Sequence, residues 1–381
     1  MRVLFVTTAF PQKESDKDGN FVFDSASSLT KLGHQVDVLV VNRPSVGKLV
    51  YSSEVSSQVN SINSIRAFSI PRHYGRSISN YVGGKFIAKK IIELTQNFDS
   101  DIVHVHGEIL AIAAGLAHEK IGVPYVVTLH GIETCQRMWS KLASLQYKKA
   151  LTMADKVVLV GEPLRSFYKK ICGSDQNFIV ISNGFRLPKG ITRKHPLFSD
   201  GVIKIISVSN LHEGKGLDIL LKALAKLKNN GINNWIYQMV GSGDQEKYLR
   251  NLVADLGLNE QVQFIGYCQH DRVYKLLGSA DIFCLPSYRE AFGIAYLEAM
   301  AFSLVTIGVQ GQGPSAFIDS GKNGFLVKPQ DVSSLVNVLT MIVSNPSLAI
   351  GVAKSGQKRV LEGFTLKHHA KHLKEVYAEL I

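Results

Sequence analysis

The stretch REAFGIAYLEAMA, Arg289–Ala301, places two acids near the ends of a segment otherwise suited to burial. Its apolar residues fit a helix packed on a sheet, yet Glu290 and Glu298 flank Phe292-Gly293 within it. The run just before it, DIFCLPS, predicts a buried strand ending near Ser287. Arg289-Glu290 then fall in a strand-to-helix loop, and the helix begins near Phe292-Gly293. The first amides of a helix have no intrahelical partner and attract anions, so a phosphate could rest there, close to the backbone of Gly293. Eight residues of helix span about 12 Å, a distance that suits a sugar at one end of a diphosphate and a ribose at the other. Carboxylates near phosphate repel it unless they accept hydrogen bonds from hydroxyls, and a nucleotide-sugar supplies hydroxyls at both ends. The plainer alternative is a capping acid and a satisfied core acid.

Outward from this stretch, strands and helices alternate. RVLFVTT, HQVDVLVV, DIVHVH, PYVVTLH and KVVLVG read as strands in the first half, and Phe21–Leu32, stopped by Gly33, and ILAIAAGLAHEKIG read as helices. The alternation restarts with VIKIISVSN, GLDILLKALAKLKNNG, WIYQMVG, a helix from Asp244 to about Leu256, VQFIGY, DRVYKLLGSA and SLVTIGV, and closes with helix from Val332 onward. Such alternation predicts parallel sheets covered by helices, here two doubly wound α/β domains in tandem, joined near SNGFRLPKGITRKHP, Ser182–Pro196. In open α/β sheets ligands bind beyond the carboxyl ends of the strands, so two domains facing across a cleft can hold a donor on one side and an acceptor on the other.

Further residues point into that region. Lys215 in SNLHEGKG, where a strand hands over to a helix, is a point charge able to neutralise a diphosphate. Gly241 and Gly243 in MVGSGD begin a phosphate-binding turn but lack the third glycine of a dinucleotide site. His130 closes the strand ending in TLHG; His104 and His106 share one strand face, with His106 expected nearer the cleft and His104 packed. Gly19-Asn20, in the loop after the first strand, could approach an acceptor. Asp16–Asp18 matches D-x-D but sits among other charges in an exposed loop, so no metal is expected.

The chain has 381 residues, 45% hydrophobic and 19% charged, enough for two cores. Its four cysteines form no C-x-x-C pair, so neither a zinc site nor a disulfide framework is suggested, and reduced thiols in the cytoplasm are the plainer reading. MRVLFVTTAF breaks at Pro11 without a small-residue cleavage site and reads as a strand rather than a signal peptide. The net charge is +12, of which +10 lies in residues 1–195, suggesting an anionic partner. Arg72–Lys90 mixes basic residues with Tyr and Phe, as a membrane-interface segment does. Nucleic acid is disfavoured because no aromatic-interleaved basic motif is found.

The E-x7-E spacing of Glu290 and Glu298 resembles the signature of retaining GT-B glycosyltransferases of family four. GNFVFDSASSLTKLGHQVDVL, TLHG, ISNGF, VSNLHEGKG, VGSGD, FIGY, LPSYREAFG and GKNGFLV occur in that family's order along nearly the whole chain. The resemblance implies a GT-B fold: residues 1–188 form an acceptor-binding Rossmann-like domain, 189–366 a donor-binding one, and the terminal helix 367–381 crosses back onto the first. It implies a nucleotide-sugar donor, with Glu290 on the sugar hydroxyls, Glu298 on the ribose, and Phe292, Gly293 and Ile294 with Lys215 on the diphosphate. Asn210, Gly241, Gly243 and Tyr267 would line the donor side. His130 would lie near the donor sugar and acceptor, with Gly19, Asn20 and His106 on the acceptor side. The family uses no metal, and no cofactor is expected. The chain departs from the family at Asn210, where an arginine usually stands five positions before the lysine, and at Ser315-Ala316, where relatives often carry an acid.

These readings predict a retaining, hexosyltransferase-type enzyme of cell-surface polysaccharide or glycoconjugate synthesis. Its acceptor would be a saccharide or a lipid-linked sugar. It would be cytoplasmic, with the inner membrane face as a possible anionic surface. A nucleotide-sugar epimerase is the competing enzyme. A Rossmann oxidoreductase is disfavoured because TTAFPQ lacks G-x-G-x-x-G, and a basic nucleic-acid-binding protein is the remaining alternative.

Overall fold

A computed structural model of the chain describes residues 1–13, 16, 19–42, 49–66, 76–131, 141–187, 193 and 195–381, with side chains omitted at 76–80, 108, 109, 141 and 143. The chain divides into two compact units. Unit one comprises Met1–Gly184 and Leu366–Ile381; unit two is Phe185–Thr365.

Unit one contains β1 (Arg2–Thr7), α1 (Asn20–Lys31), β2 (Gln35–Asn42), α2 (Ser53–Ser56), β3 (Ser61–Arg66), α3 (Arg76–Phe98), β4 (Ile102–His106), α4 (Glu108–Ile121), β5 (Tyr125–Leu129), α5 (Lys141–Met153), β6 (Lys156–Leu159), α6 (Pro163–Cys172) and β7 (Phe178–Val180). Unit two contains β8 (Ile203–Val208), α7 (Leu217–Asn229), β9 (Trp235–Val240), α8 (Glu246–Asp255), β10 (Val262–Gly266), α9 (His270–Leu277), β11 (Ile282–Cys284), α10 (Ile294–Ala301), β12 (Val305–Val309), β13 (Phe325–Val327), α11 (Val332–Ser344) and α12 (Pro346–Gly363). The last helix, α13 (Leu366–Ala378), belongs to unit one.

Every strand pair among the described residues is parallel. The first sheet runs β3-β2-β1-β4-β5-β6-β7 and the second β10-β9-β8-β11-β12-β13. Central strands such as β1, β4, β5 and β12 are buried on both faces, as parallel strands covered by helices must be. Strand order reverses between β1 and β4 in one sheet and between β8 and β11 in the other. In open α/β sheets the carboxyl edge beside such a reversal is where ligands bind.

The terminal helix docks on α1 and adds Ala370, Leu373, Val376 and Tyr377 to the core around Phe5, Val22, Phe23 and Leu29. Polar ties hold it as well. His369 Nε2 meets Ser25 Oγ at 2.8 Å, and its Nδ1 meets the Ser182 carbonyl at 2.9 Å. The β11 strand is shorter than DIFCLPS suggests. Leu285 N still donates to Ile307 O, but Pro286 has no N–H, so the ladder ends at Cys284 rather than near Ser287.

No single helix among the described residues is long and apolar enough to cross a membrane; α11 and α12 together reach that length and composition but bend by 106° at their break.

Candidate active site

At the second sheet's reversal, the loops after β8 and β11 are bound to each other. Gly214 O accepts from Tyr288 N at 3.0 Å and from Ser287 Oγ at 3.1 Å. Gly216, at φ 65, must be glycine for this contact, since a Cβ there would stand 2.2 Å from Pro286 O. The single 3-10 turn Glu213–Lys215 then brings Lys215 Nζ to 2.8 Å from Glu290 Oε2, with both side chains mostly shielded from water. Lys215 and Glu290 are 75 positions apart in the chain.

Glu290 is fixed through its backbone. Its N–H donates to Gln312 Oε1 at 3.0 Å and its carbonyl accepts from Gly313 N at 2.9 Å. Gly313 presses on Phe292, and a Cβ there would meet the Phe292 backbone at 2.4 Å. Gln312 and Gly313 therefore shape the site, and only their place in the segment after β12 hints at it. Gly293, at φ 93, caps α10, which begins at Ile294 and has no acid in its first turn. The positive end of that helix is thus left for an anion. Phe292 is buried, its side chain against Phe317 and its backbone under Gly313, so of Phe292, Gly293 and Ile294 only the last two are part-exposed.

Glu298 lies within α10 and is 6% exposed. Tyr274 OH donates to its Oε1 at 3.3 Å, and His270 Nδ1 stands 3.7 Å away. Sequence reasoning names neither α9 residue. Asn210 and Tyr267 are exposed. The glycines of VGSGD have a structural reason of their own: Cβ atoms at Gly241 and Gly243 would fall 1.8 Å from Ser209 O and 2.3 Å from Leu211 O. The close approach is to the neighbouring loop, with Leu211 N donating to Ser242 O at 3.0 Å.

In unit one, His104, His106 and His130 form a stack at the carboxyl edge of β4 and β5. Ring centroids are 4.5 Å apart for His104–His106 and 5.4 Å for His106–His130. His106 Nδ1 and His130 Nε2 share a hydrogen bond at 3.2 Å, and Phe21 covers His130 at 4.2 Å. His104 is held by Tyr377 OH and, at 2.6 Å, by Thr128 Oγ1. Burial, with smaller repulsion from neighbouring histidines, pushes His104 and His130 down to about 3 and His106 well below its ordinary range. These imidazoles are neutral, so one of His106 and His130 donates and the other accepts.

Gly19, at φ 82, precedes α1 and packs on Ala9, whose carbonyl a Cβ would meet at 2.3 Å; Asn20 opens the helix. Of the D-x-D match, Asp16 accepts from the Gln12 and Lys13 amides, while Lys17 and Asp18 lie outside the described residues. Among the described residues no three His, Cys, Asp or Glu side chains are grouped to hold a metal. Cys172, Cys268 and Cys284 are free and buried, while Cys135 lies outside the described residues.

Residues 19–187 match the family described as Glycosyltransferase Family 4, and residues 189–359 match Glycosyl transferases group 1. The chain is 26% identical to the UDP-Gal:alpha-D-GlcNAc-diphosphoundecaprenol alpha-1,3-galactosyltransferase of Escherichia coli, over 84% of this chain and 85% of the relative. It is 24% identical to the N-acetyl-alpha-D-glucosaminyl L-malate synthase of Bacillus anthracis, over 93% and 91% of the two chains. Among solved structures, Anabaena HepE in complex with UDP superimposes with a TM-score of 0.78 at 17% identity, covering 100% of both chains. That likeness establishes the two-domain fold.

Proposed function

The chain belongs to the family-four type of glycosyltransferases with the GT-B fold, and from that premise we propose that it transfers a hexosyl group, with retention, from a nucleotide-sugar to a saccharide or lipid-linked acceptor. The observation that carries this reading is the Lys215–Glu290 pair at the head of α10. In it, a cation, an acid and an uncapped helix end converge where a diphosphate and a sugar would meet.

The chemistry follows from these positions. The diphosphate rests on the amides of Gly293 and Ile294 and against Lys215. As the glycosidic bond breaks, negative charge grows on the departing diphosphate, and a fixed cation there favours the transition state over the ground state. Glu290 and Glu298 accept hydrogen bonds from sugar and ribose hydroxyls. No side chain is evident as an inverting base on the acceptor side, which favours retention over inversion. His130 serves as a neutral hydrogen-bonding group. It cannot supply a positive charge at neutral pH, because burial holds it down to about 3. The +10 charge of residues 1–195 supports a cytoplasmic protein held peripherally at an anionic membrane face, where a lipid-linked acceptor would lie.

The E. coli relative is named for UDP-Gal and a lipid-linked acceptor, so UDP-galactose is the first donor to try. A thermal-shift screen of nucleotide-sugars identifies the donor, since a binder stabilises by mass action. Product NMR with that donor and a diphosphoundecaprenol-linked GlcNAc acceptor reads the anomer. Retained configuration supports the reading and an inverted anomer defeats it. A new sugar nucleotide formed without acceptor would identify an epimerase instead.

A further inference from the structure

A cavity of about 270 Å³ opens on unit two beside the site just described. It is walled by the turn after β8, the start of α7, the head of α8, Tyr288 and Gln330. None of Asn210, Lys215, Glu290, Gly293 and Glu298 lines it. The turn Glu213–Lys215 separates the two places: Lys215 reaches Glu290, whereas Glu213 lines the cavity.

Its chemistry is specific. Tyr248, 48% exposed, and Tyr288 offer aromatic faces, with Leu217 and Leu249 buried beneath. Glu213, Asp218, Gln245 and Gln330 supply carboxylate and amide oxygens and amide N–H groups. The lining holds carboxylates but no Lys or Arg. Asp218 pairs with Lys222 at 2.8 Å, and His212, also on the wall, pairs with Asp244 at 2.7 Å. Glu213 lies against Tyr288, whose phenol is pushed up by burial and then by that carboxylate. Such a wall gives little to an anion, while its carboxylates can accept from hydroxyls. It suits a neutral ligand with one apolar face and a rim of hydroxyls, since aromatic rings take the C–H face and the polar rim takes the O–H groups. The volume lies just below the ~300 Å³ at which pockets for drug-sized ligands begin, which is room for one sugar ring.

We propose that this cavity is a saccharide subsite, separate from the diphosphate position, that takes one pyranose unit of a glycan acceptor or product. The choice of a glycan as the source rests on the glycosyl-transfer reading; the location does not.

Saturation-transfer NMR on the full chain tests it with three probes: methyl α-glucopyranoside, methyl α-galactopyranoside and methyl N-acetyl-α-glucosaminide. Each is measured alone and with excess UDP, on the parent protein and on Tyr248→Ala and Gln330→Ala. Both variants should fold, because their side chains leave the core intact. At least one glycoside should give transfer at its ring C–H protons that survives UDP. Tyr248→Ala should weaken that binding at least about threefold, in line with the loss of one aromatic contact. Absence of transfer from all three glycosides, displacement by UDP, or undiminished transfer in Tyr248→Ala overturns the proposal. A thermal-shift titration with UDP on the same samples reports separately on the donor reading, since its failure leaves the glycoside signals untouched.

Discussion

Lys215 Nζ donates to Glu290 Oε2 across 2.8 Å and so links the loops on either side of the second sheet's reversal. In the proposed donor complex this lysine would lie where the donor charge develops. Asn210, where the family resemblance implies an arginine, is exposed and uncharged, so in the proposed donor complex Lys215 would carry more of the diphosphate charge alone.

Lys215→Ala should therefore lower turnover by roughly a hundredfold to a thousandfold, equivalent to about 3–4 kcal/mol of transition-state stabilisation. The melting temperature should change little, because Glu290 stays tethered through its backbone to Gln312 and Gly313. Asn210→Ala should lose far less turnover. Steady-state kinetics and thermal melts on both variants check this. Near-normal turnover in Lys215→Ala would mean that the diphosphate binds elsewhere.

The histidine cluster gives unit one an acid-sensitive core. His104 and His130 are pushed down to about 3 and His369 to about 4, chiefly by burial. The unfolded chain takes up protons below its ordinary histidine value of about 6.5, whereas the folded chain does not until much lower pH. Stability is thus full above about pH 6.5 and falls as the pH drops toward 4 and then 3. Each such histidine can remove up to about 1.4 kcal/mol per pH unit in that window. Urea midpoints measured from about pH 7.5 to about pH 5 should fall steadily below about 6.5. A flat profile would show that the cluster is solvated or already charged.

The Lys215–Glu290 site is legible in the sequence because its parts are local: a strand, a glycine and an acid on one loop, a lysine on the next. What fixes them is not. Gln312 lies 22 positions from Glu290, and the link from Tyr377 to His104 spans 273. No short-range pattern encodes such pairings. Strand β3, Ser61–Arg66, gives no sequence signal because SINSIR is polar and partly exposed at a sheet edge, so it lacks the apolar run that marks the buried strands. Strands β7 and β13 have only three residues each, too few to show a period. The glycines of VGSGD are visible in the sequence, but their backbone contact with the adjacent loop is not.

That contact makes a stability prediction. Gly241, at φ 133, would place a Cβ 1.8 Å from Ser209 O, whereas Gly33, at φ 86, has nothing within 4 Å. Gly33→Ala should cost about 1 kcal/mol, the penalty of a left-handed backbone alone. Gly241→Ala should cost about 2–4 kcal/mol, since the overpacking of two backbones is added. Chemical denaturation of the two variants compares them directly. Equal losses would mean that the loop relaxes freely and that the packing is not restrictive.

Two helices of the basic half carry apolar side chains exposed to solvent. On α3, Tyr81, Val82 and Phe86 are 45–51% exposed, and on α5, Leu142 and Leu145 are 56% and 61% exposed. The two helices touch, and the exposed side chains Lys85 and Lys89 lie among the α3 residues, with Lys85 Nζ 4.2 Å from the Tyr81 ring centroid. Lysines beside outward apolar side chains combine charge attraction to anionic lipid with insertion of nonpolar groups. Of the basic stretch noted in the sequence, Arg72–Gly75 lie outside the described residues, while Tyr81–Lys90 belong to this helix. Binding to vesicles containing phosphatidylglycerol should exceed binding to phosphatidylcholine vesicles and weaken as salt rises. The double variant Phe86→Ser, Leu145→Ser should bind several-fold more weakly, since each side chain gives up its buried apolar area. Its turnover on a water-soluble acceptor should be unchanged, because neither residue touches the proposed donor site. Sedimentation with the two vesicle types, beside kinetics on that acceptor, separates the effects. Equal binding to neutral and anionic vesicles, or no loss in the double variant, would rule out this face as the membrane contact.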